Sequence, residues 1–442
     1  MIEFINESQY QQIVHDMLTM ARKMGASAAE VGLSSAVGLN VTVRLNEIET
    51  LEFNRDKSIA VTVYKGDRKG TASTTDISPA SLQATVLAAL NLAKLMEPDP
   101  FAGLALMSDM ATEKLDLDLY YPWDLTVDNA VRIAKACEQS ALDIDQRMKS
   151  DGATLNSAQG YHVYGNTHGF LGYYPTSKHS LSCVMIAQEA NAMERDYEYT
   201  LSRKPDLLES PEKIGRAASH RALNRLAARK LPTQKTPVLF HADIAAGIIS
   251  HFLAAISGGR LFRKSSFLLD SLGKSVFPPH MHIYERPHIL GGLGSAPFDS
   301  DGVKTQDKDI VDKGVVKSYL LSAYSARKLN LQNTGNAGGA HNILVKSTGE
   351  DYAALIKKLD RGLVVTELMG PGINLVTGDY SRGAAGFWVE NGKVQYPVHE
   401  ITIAGNLAQM FKQLIAVGND VEKRSSIQTG SLLIEEMTLA GS

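Results

Sequence analysis

The sequence has little cysteine, little tryptophan and no surplus of charge. Its 442 residues hold two cysteines, Cys137 and Cys183. One pair cannot build a disulfide framework, which sets aside the small secreted scaffolds and fits a reducing cytoplasm. Lysine and arginine total 45 against 48 aspartates and glutamates, a formal charge of −3. No basic field is available to grip nucleic acid or an anionic membrane. Long apolar runs are also missing. The stretch from Gly247 to Gly259 contains histidine and serine and falls short of the roughly 20 residues a membrane span needs. The start, Met1-Ile2-Glu3-Phe4-Ile5-Asn6-Glu7, is acidic and lacks the basic region and apolar core of a signal peptide. A cytoplasmic protein with no membrane or direct nucleic-acid partner is expected.

What is present is an ordinary globular mix, 44% hydrophobic and 21% charged, on a chain about three average domains long. Glycine marks a boundary: 12 of the 36 lie in residues 1–230 and 24 in residues 231–442. The first half reads as one plan used twice. A helix at about 8–24 is followed by alternating strands through Val37–Leu45 and Ile59–Val63, then by a helix opening at Ser78-Pro79. A helix from Thr126, strand-rich sequence over about 152–200 and a helix opening at Ser210-Pro211 repeat that order. After Pro237, a short buried strand leads into a helix near 242–257. Hairpin signals follow at Asp312-Lys313-Gly314 and Asn391-Gly392. The expected fold is α+β: two related helix and antiparallel-strand modules, residues 1–115 and 116–231. A β-rich C-terminal domain, an antiparallel sheet or pseudo-barrel, covers 232–442.

Residue by residue, chemistry is hard to find. The one His-Glu dipeptide, His399-Glu400, lacks a second histidine a turn later and sits in strand-like sequence. His280 and His282 would share a face on a strand, with His288 close by, yet cysteine is absent there and carboxylates are few. They read as structural histidines before they read as ligands. His241 and His251 bracket the 242–257 helix, too far apart to chelate one ion. The clusters Gly291-Gly292-Leu293-Gly294, Gly335-Asn336-Ala337-Gly338-Gly339 and Gly383-Ala384-Ala385-Gly386 lack the features of a phosphate loop. They read as tight turns or as places where backbone approaches a bound peptide. Asp299-Ser300-Asp301-Gly302 is half a calcium loop without the rest, and so a turn. Cys137 lies on an apolar helix face and reads as core.

Longer runs carry a resemblance. Phe262 through Lys274, Ser322 through Leu329, Thr366-Glu367-Leu368-Met369-Gly370 and Gly378 through Gly392 resemble the TldD/PmbA family, as do Tyr396-Pro397-Val398 and Glu400 through Leu407. The resemblance is to its PmbA (TldE) branch and spans essentially the whole chain. It implies a cytoplasmic zinc metalloprotease complex that degrades or processes short unfolded peptides, microcin-type precursors included. In that assembly a TldD-type subunit supplies zinc from an H-E-x-x-x-H helix and a later cysteine, and pairs with a PmbA-type subunit around a chamber. An older association with modulation of DNA gyrase suggests the alternative, a non-catalytic regulatory binding protein.

The departures from the family pattern matter most. The metal helix falls at Ala246-Gly247-Ile248-Ile249-Ser250-His251, where only His251 matches. Ala246 replaces the first histidine, Gly247 the glutamate, and Thr429 the later cysteine. The resemblance therefore implies a chain with no catalytic residue, cofactor or metal of its own, zinc being held by the partner. Alone, it could pair as a homodimer. Gly338, Gly339, Gly383 and Gly386 are the candidate peptide-lining positions, a peptide being added as a strand to a sheet edge.

Overall fold

The computed structural model describes residues 7–190 and 192–441. All of the start read above except Glu7 therefore lies outside the described residues. The first module is a helix, α1 (Glu7–Lys23), three strands, β1 (Ala28–Arg44), β2 (Glu47–Lys65) and β3 (Arg68–Thr74), and a helix, α2 (Pro79–Leu95). The second repeats it as α3 (Val127–Leu142), β4 (Met148–Asn166), β5 (Leu171–Glu189), β6 (Ala192–Ser202) and α4 (Pro211–Asn224). Caps fix the helix starts. The side chains of Ser78, Thr126 and Ser210 accept from the backbone N–H groups of Ser81, Asn129 and Lys213, satisfying donors that the first turn leaves free.

The modules are not separate sheets. β1 pairs with β4 along nearly its whole length, giving one six-stranded antiparallel sheet in the order β3-β2-β1-β4-β5-β6. Alternation along β1 then divides its residues by face. Val31 and Leu33 pack with α1 and α2, and Leu39, Val41 and Val43 pack with α3 and α4. All four helices cover one face. The opposite face of β1 presents Gly32, Ser34, Ala36 and Gly38.

The C-terminal half comprises β7 (Gln234–Phe240), α5 (Ala242–Ala255), α6 (Gly258–Phe262), β8 (Ile283–Glu285), β9 (Lys308–Asp312), β10 (Val315–Val316), α7 (Ala323–Leu329), β11 (Ile343–Val345) and α8 (Tyr352–Leu359). It continues through β12 (Gly362–Met369), β13 (Asp379–Glu390), β14 (Lys393–Asn406), α9 (Leu407–Lys412), β15 (Leu414–Val417), β16 (Ile427–Gln428) and β17 (Leu432–Ala440). Strands β14-β13-β12-β7-β17 form a sheet that β14 closes by pairing with β17, so a barrel results. The pairing is not wholly antiparallel, because β7 runs parallel to β12 and β11 to β16. Long crossovers allow this, since the chain between β7 and β12 travels through four helices before returning. The largest core gathers here, with Phe252, Phe277 and Phe411 packed ring against ring. Among the described residues no helix is long and apolar enough to cross a membrane.

Candidate functional site

Strand β7 buries Val238, Leu239 and Phe240 completely and delivers the chain to α5. His241 caps that helix, its ring nitrogen accepting from the Asp243 N–H at 3.3 Å. Ala245, Ile248, Ile249 and Phe252 form the buried face of α5. Gly247 and His251, one turn apart, lie on its half-buried face. A side chain at Gly247 would meet nothing within 4 Å, and the position borders a cavity of about 310 Å³ with Arg195, Arg225, Glu367 and Arg382 in its wall. The His251 ring stands edge-on to Tyr380 at 6.2 Å, and burial, then the Arg382 charge, lowers its pKa. Thr429 follows β16, which packs on α5. It is fully buried, and its hydroxyl donates to the Gly430 carbonyl.

These side chains do not fit a metal. Ala246 and Gly247 bring no donor, and the Thr429 hydroxyl is engaged with backbone. Among the described residues, no three His, Cys, Asp or Glu side chains are grouped so as to hold an ion. The separate histidines also have separate surroundings. His282 pairs with Asp312 at 3.0 Å and His288 with Thr305 at 2.9 Å. His280 lies in the turn before β8 rather than on a strand, with its Nε2 buried and unpartnered. His399 contacts Glu194 at 2.9 Å from within β14.

The start of α5 is held by charge. Asp243 pairs with Arg221 at 2.7 Å and Arg424 at 3.4 Å, and Arg221 and Arg424 both reach Glu198 on β6. Burial alone would raise the Asp243 pKa, but His241 and Arg221 hold it far below the usual carboxylate range. This network clamps α4 and β6 of the second module to the barrel.

A larger feature lies under the uncovered face of the sheet. Two adjoining cavities of about 430 and 560 Å³ share Ser34, Ser58, His162, Tyr174 and Ala296 in their walls. Together they form a groove across β2, β1, β4 and β5. On β1 and β2 its floor is small, with Gly32, Ser34, Ala36, Ser58 and Ala60, and on β4 and β5 the small Ala158 and Gly160 stand beside the larger His162, Tyr164 and Tyr174. The roof comes from C-terminal segments 293–300 and 337–341. Arg203, buried at the sheet, ties roof to floor by donating to the carbonyls of Ser177, Gly292 and Leu293 at 3.0–3.1 Å.

Buried acids shape the roof. One Asp299 oxygen accepts from the Asp301 and Val303 N–H groups, and the other from Ala337 N–H at 2.9 Å. Burial, reinforced by the Asp301 charge, pushes the Asp299 pKa up to about 6 despite those three donors. The 299–302 segment is a turn, with Gly302 at φ 77°. Glu285 accepts from Asn336 and from His341 N–H, and pairs with Lys308 at 2.8 Å, which fixes the 336–341 loop.

The proposed peptide-lining glycines separate. Gly338 and Gly339, at φ 94° and 122°, stand in the groove wall. Gly383 and Gly386 lie within β13, where a Cβ on Gly386 would come 1.9 Å from the Val364 carbonyl oxygen. Gly386 is thus required by the close packing of β12 against β13, and the groove is not bordered by it. One pairing was not legible in the sequence: Ser157 Oγ lies 2.9 Å from His179 Nδ1, joined only by the β4–β5 register. The other ring nitrogen meets the Tyr121 carbonyl at 2.9 Å and Trp123 packs edge-on, so the pair fastens segment 119–123 to the sheet.

Comparison with known proteins defines the class. Three models of the PmbA/TldA metallopeptidase family match in sequence: domain 1 at 29–93, the central domain at 120–226 and the C-terminal domain at 233–441. The chain belongs to the PmbA/TldA metallopeptidase family. It is 50% identical to the metalloprotease PmbA homolog of Haemophilus influenzae over 438 residues, covering 98% of this chain and 97% of that one. A crystal structure from Bacteroides thetaiotaomicron, described as a candidate modulator of DNA gyrase, superposes with a TM-score of 0.93 at 27% identity. It covers 99% of this chain and 100% of its own. TldE from Thermococcus kodakarensis shares the fold, with a TM-score of 0.85 at 19% identity over 97% of this chain and 100% of that one.

Proposed function

We propose that this chain is the TldE-type subunit of a cytoplasmic TldD/TldE zinc metalloprotease that degrades or processes short unfolded peptides. A TldD-type partner carries the zinc, and this chain shapes the chamber. The observation that carries the reading is α5, which keeps one imidazole, His251, where the family's metal helix has two histidines and a glutamate. Zinc held by one imidazole binds weakly, and nothing beside it can take a proton from its water. The groove supports the substrate side of the reading. The small residues of β1 and β2 and the glycine-edged roof leave room for an extended main chain, the form an unfolded peptide or a microcin-type precursor offers.

The test is a peptidase assay of this chain, its TldD-type paralogue and their mixture. The mixture should cleave unstructured peptides and lose activity to chelator, and the isolated chain should carry no stoichiometric zinc. Ala246→His alone should restore nothing, because Gly247 still lacks a carboxylate. Digestion by the isolated chain at the rate of the mixture overturns the proposal. The description of the Bacteroides relative favours a second reading, a regulator of DNA gyrase without proteolysis. Altered gyrase supercoiling on adding this chain, with no cleavage by the mixture, would select it.

A further inference from the structure

The cavity of about 310 Å³ at Gly247 shares no wall residue with the groove under the sheet. Its volume stands at the small end of the range for small-molecule sites, about 300–1,000 Å³. Three guanidinium groups and two carboxylates stand in its wall, and their pairing is uneven. Arg225 holds both acids, Asp196 at 3.4 Å and Glu367 in a closer contact, and Arg221 also reaches Asp196. Arg195 is taken by Asp151 at 2.8 Å. Arg382 has no carboxylate partner among the described residues. Its Nε donates to the Gly370 carbonyl at 2.9 Å and its Nη2 to the Leu368 carbonyl at 3.3 Å. Two of its five N–H groups are spent in this way.

Strand β12 bulges at the same place. Val365 lies opposite Gly386 and Glu367 opposite Ala385, which makes Thr366 the extra residue. A bulge re-aims side chains. Thr366 stands in the cavity wall, and its hydroxyl has no hydrogen-bond partner among the described residues. Ile244 and Leu368 add apolar surface to that wall. Gly247 keeps the space open, since a Cβ there would meet nothing within 4 Å. Asp196 and Glu367 would repel an anion, but arginines already neutralise them, so the surplus charge of the wall belongs to Arg382. An unpaired guanidinium beside an unpaired hydroxyl suits a carboxylate, and the aliphatic wall suits a small apolar group attached to it.

We propose that this cavity is a carboxylate site, in which Arg382 and Thr366 receive the C-terminal carboxylate of a short peptide whose last side chain lies along Ile244 and Leu368. The proposal rests on the peptide-handling reading only for the carrier of that carboxylate, and its test involves no cleavage, so the two fail separately. Ligand-observed NMR titration of the full chain uses three probes. N-acetyl-leucine should bind, and N-acetyl-leucinamide, which lacks only the carboxylate, should bind about tenfold more weakly or not at all. The α-amide of N-acetylglutamate carries its one carboxylate on the side chain and should bind as weakly as the leucinamide. Arg382→Met should weaken N-acetyl-leucine about tenfold or more, and Thr366→Val about threefold. Arg382 also holds two carbonyls of the β12 end, so a second variant acts from the other wall. Gly247→Leu fills the cavity from α5, where leucine is a better helix former than glycine. It should abolish binding without lowering the melting temperature. No binding of N-acetyl-leucine up to about 10 mM, equal binding of acid and amide, or wild-type binding by Arg382→Met or Gly247→Leu would each overturn the proposal. Equal binding of the glutamate amide would overturn the assignment to a chain end and give the site to acidic side chains.

Discussion

The two halves of the molecule solve the same problem in opposite ways. The C-terminal half closes its main sheet upon itself through β14 and β17, so the barrel strands protect one another and enclose the largest core. The N-terminal half leaves its sheet open. Helices cover one face, the other floors a groove, and among the described residues part of β2 has no strand paired on its outer side. The largest core lies where edges are closed, and the groove opens where they are not. The same aromatic side chain should therefore matter very differently in the two places.

Phe252→Ala tests this most severely. The ring is fully buried, 4.9 Å from Phe277 and 5.9 Å from Phe411 by centroids. Its loss should cost about 3–5 kcal/mol in urea unfolding, the transfer term plus the cavity left behind. Phe53→Ala on the open edge should stay within about 0.5 kcal/mol when measured on dilute chain. Equal losses would mean that the N-terminal edge is covered in solution or that the barrel core relaxes freely.

The second test uses acids of opposite behaviour. Asp299, in the groove roof, has a folded pKa near 6, above its unfolded value of about 3.9. The folded state therefore holds the extra proton, and this group's contribution is lost as pH rises from about 4 to about 6, amounting to about 2–3 kcal/mol. Asp243, at the clamp on α5, is shifted the other way by His241 and Arg221 after the opposing effect of burial. Its contribution is present above about pH 4 and is lost as pH falls toward its depressed folded value. Subtracting each variant's urea stability from wild type between pH 4 and 7 should give a falling difference for Asp299→Asn. For Asp243→Asn the difference should hold through this window and shrink toward its acid end. A flat Asp299 difference would place that carboxylate in water.

Local signals carried most of the N-terminal layout. Ser-Pro caps and strict alternation act within a few residues, so the helix–strand–helix order was legible, as was the turn at Asn391-Gly392. Long-range pairing was not. Nothing within residues 28–44 announces the partner at 148–166 that fuses two modules into one sheet, and nothing in β14 announces its closure against β17. The groove is a product of those pairings and was hidden with them. Glycine clusters looked alike in sequence for unlike reasons. Gly338 and Gly339 need positive φ, whereas Gly386 sits in extended strand and yields to a neighbouring carbonyl. The metal-helix position was visible only through family resemblance, because one histidine on a helix carries no pattern.

A smaller effect separates turn strain from packing within the barrel half. Asn391 and Gly392 both have positive φ, 53° and 64°, as a two-residue hairpin between β13 and β14 demands. Gly392→Val places a branched side chain in left-handed geometry, and its Cβ would lie 3.2 Å from the Lys357 Cα. A loss of about 1–2 kcal/mol is expected, read as a lower melting temperature. An unchanged value would show that the hairpin tip rearranges without cost.

The smallest stability effect is expected on the groove floor, and there it sharpens the contrast between the halves. Gly32 has no positive φ, and a Cβ built on it meets nothing within 4 Å, because the space above belongs to the groove. Gly32→Ala should leave stability within about 0.5 kcal/mol of wild type, or raise it slightly by restricting the unfolded chain. Gly160, on the neighbouring strand, provides the control. Its Cβ would fall 2.5 Å from the Ser35 carbonyl oxygen, so the same substitution there must displace backbone. Gly32→Leu goes further by filling the groove without touching the core or the clamp on α5. If peptide passes through this groove, Gly32→Leu should depress cleavage by the mixed subunits while its unfolding curve stays close to that of Gly32→Ala. If cleavage is unchanged with the groove filled, the small-residue face is a spacer between sheet and barrel, and the substrate path lies elsewhere.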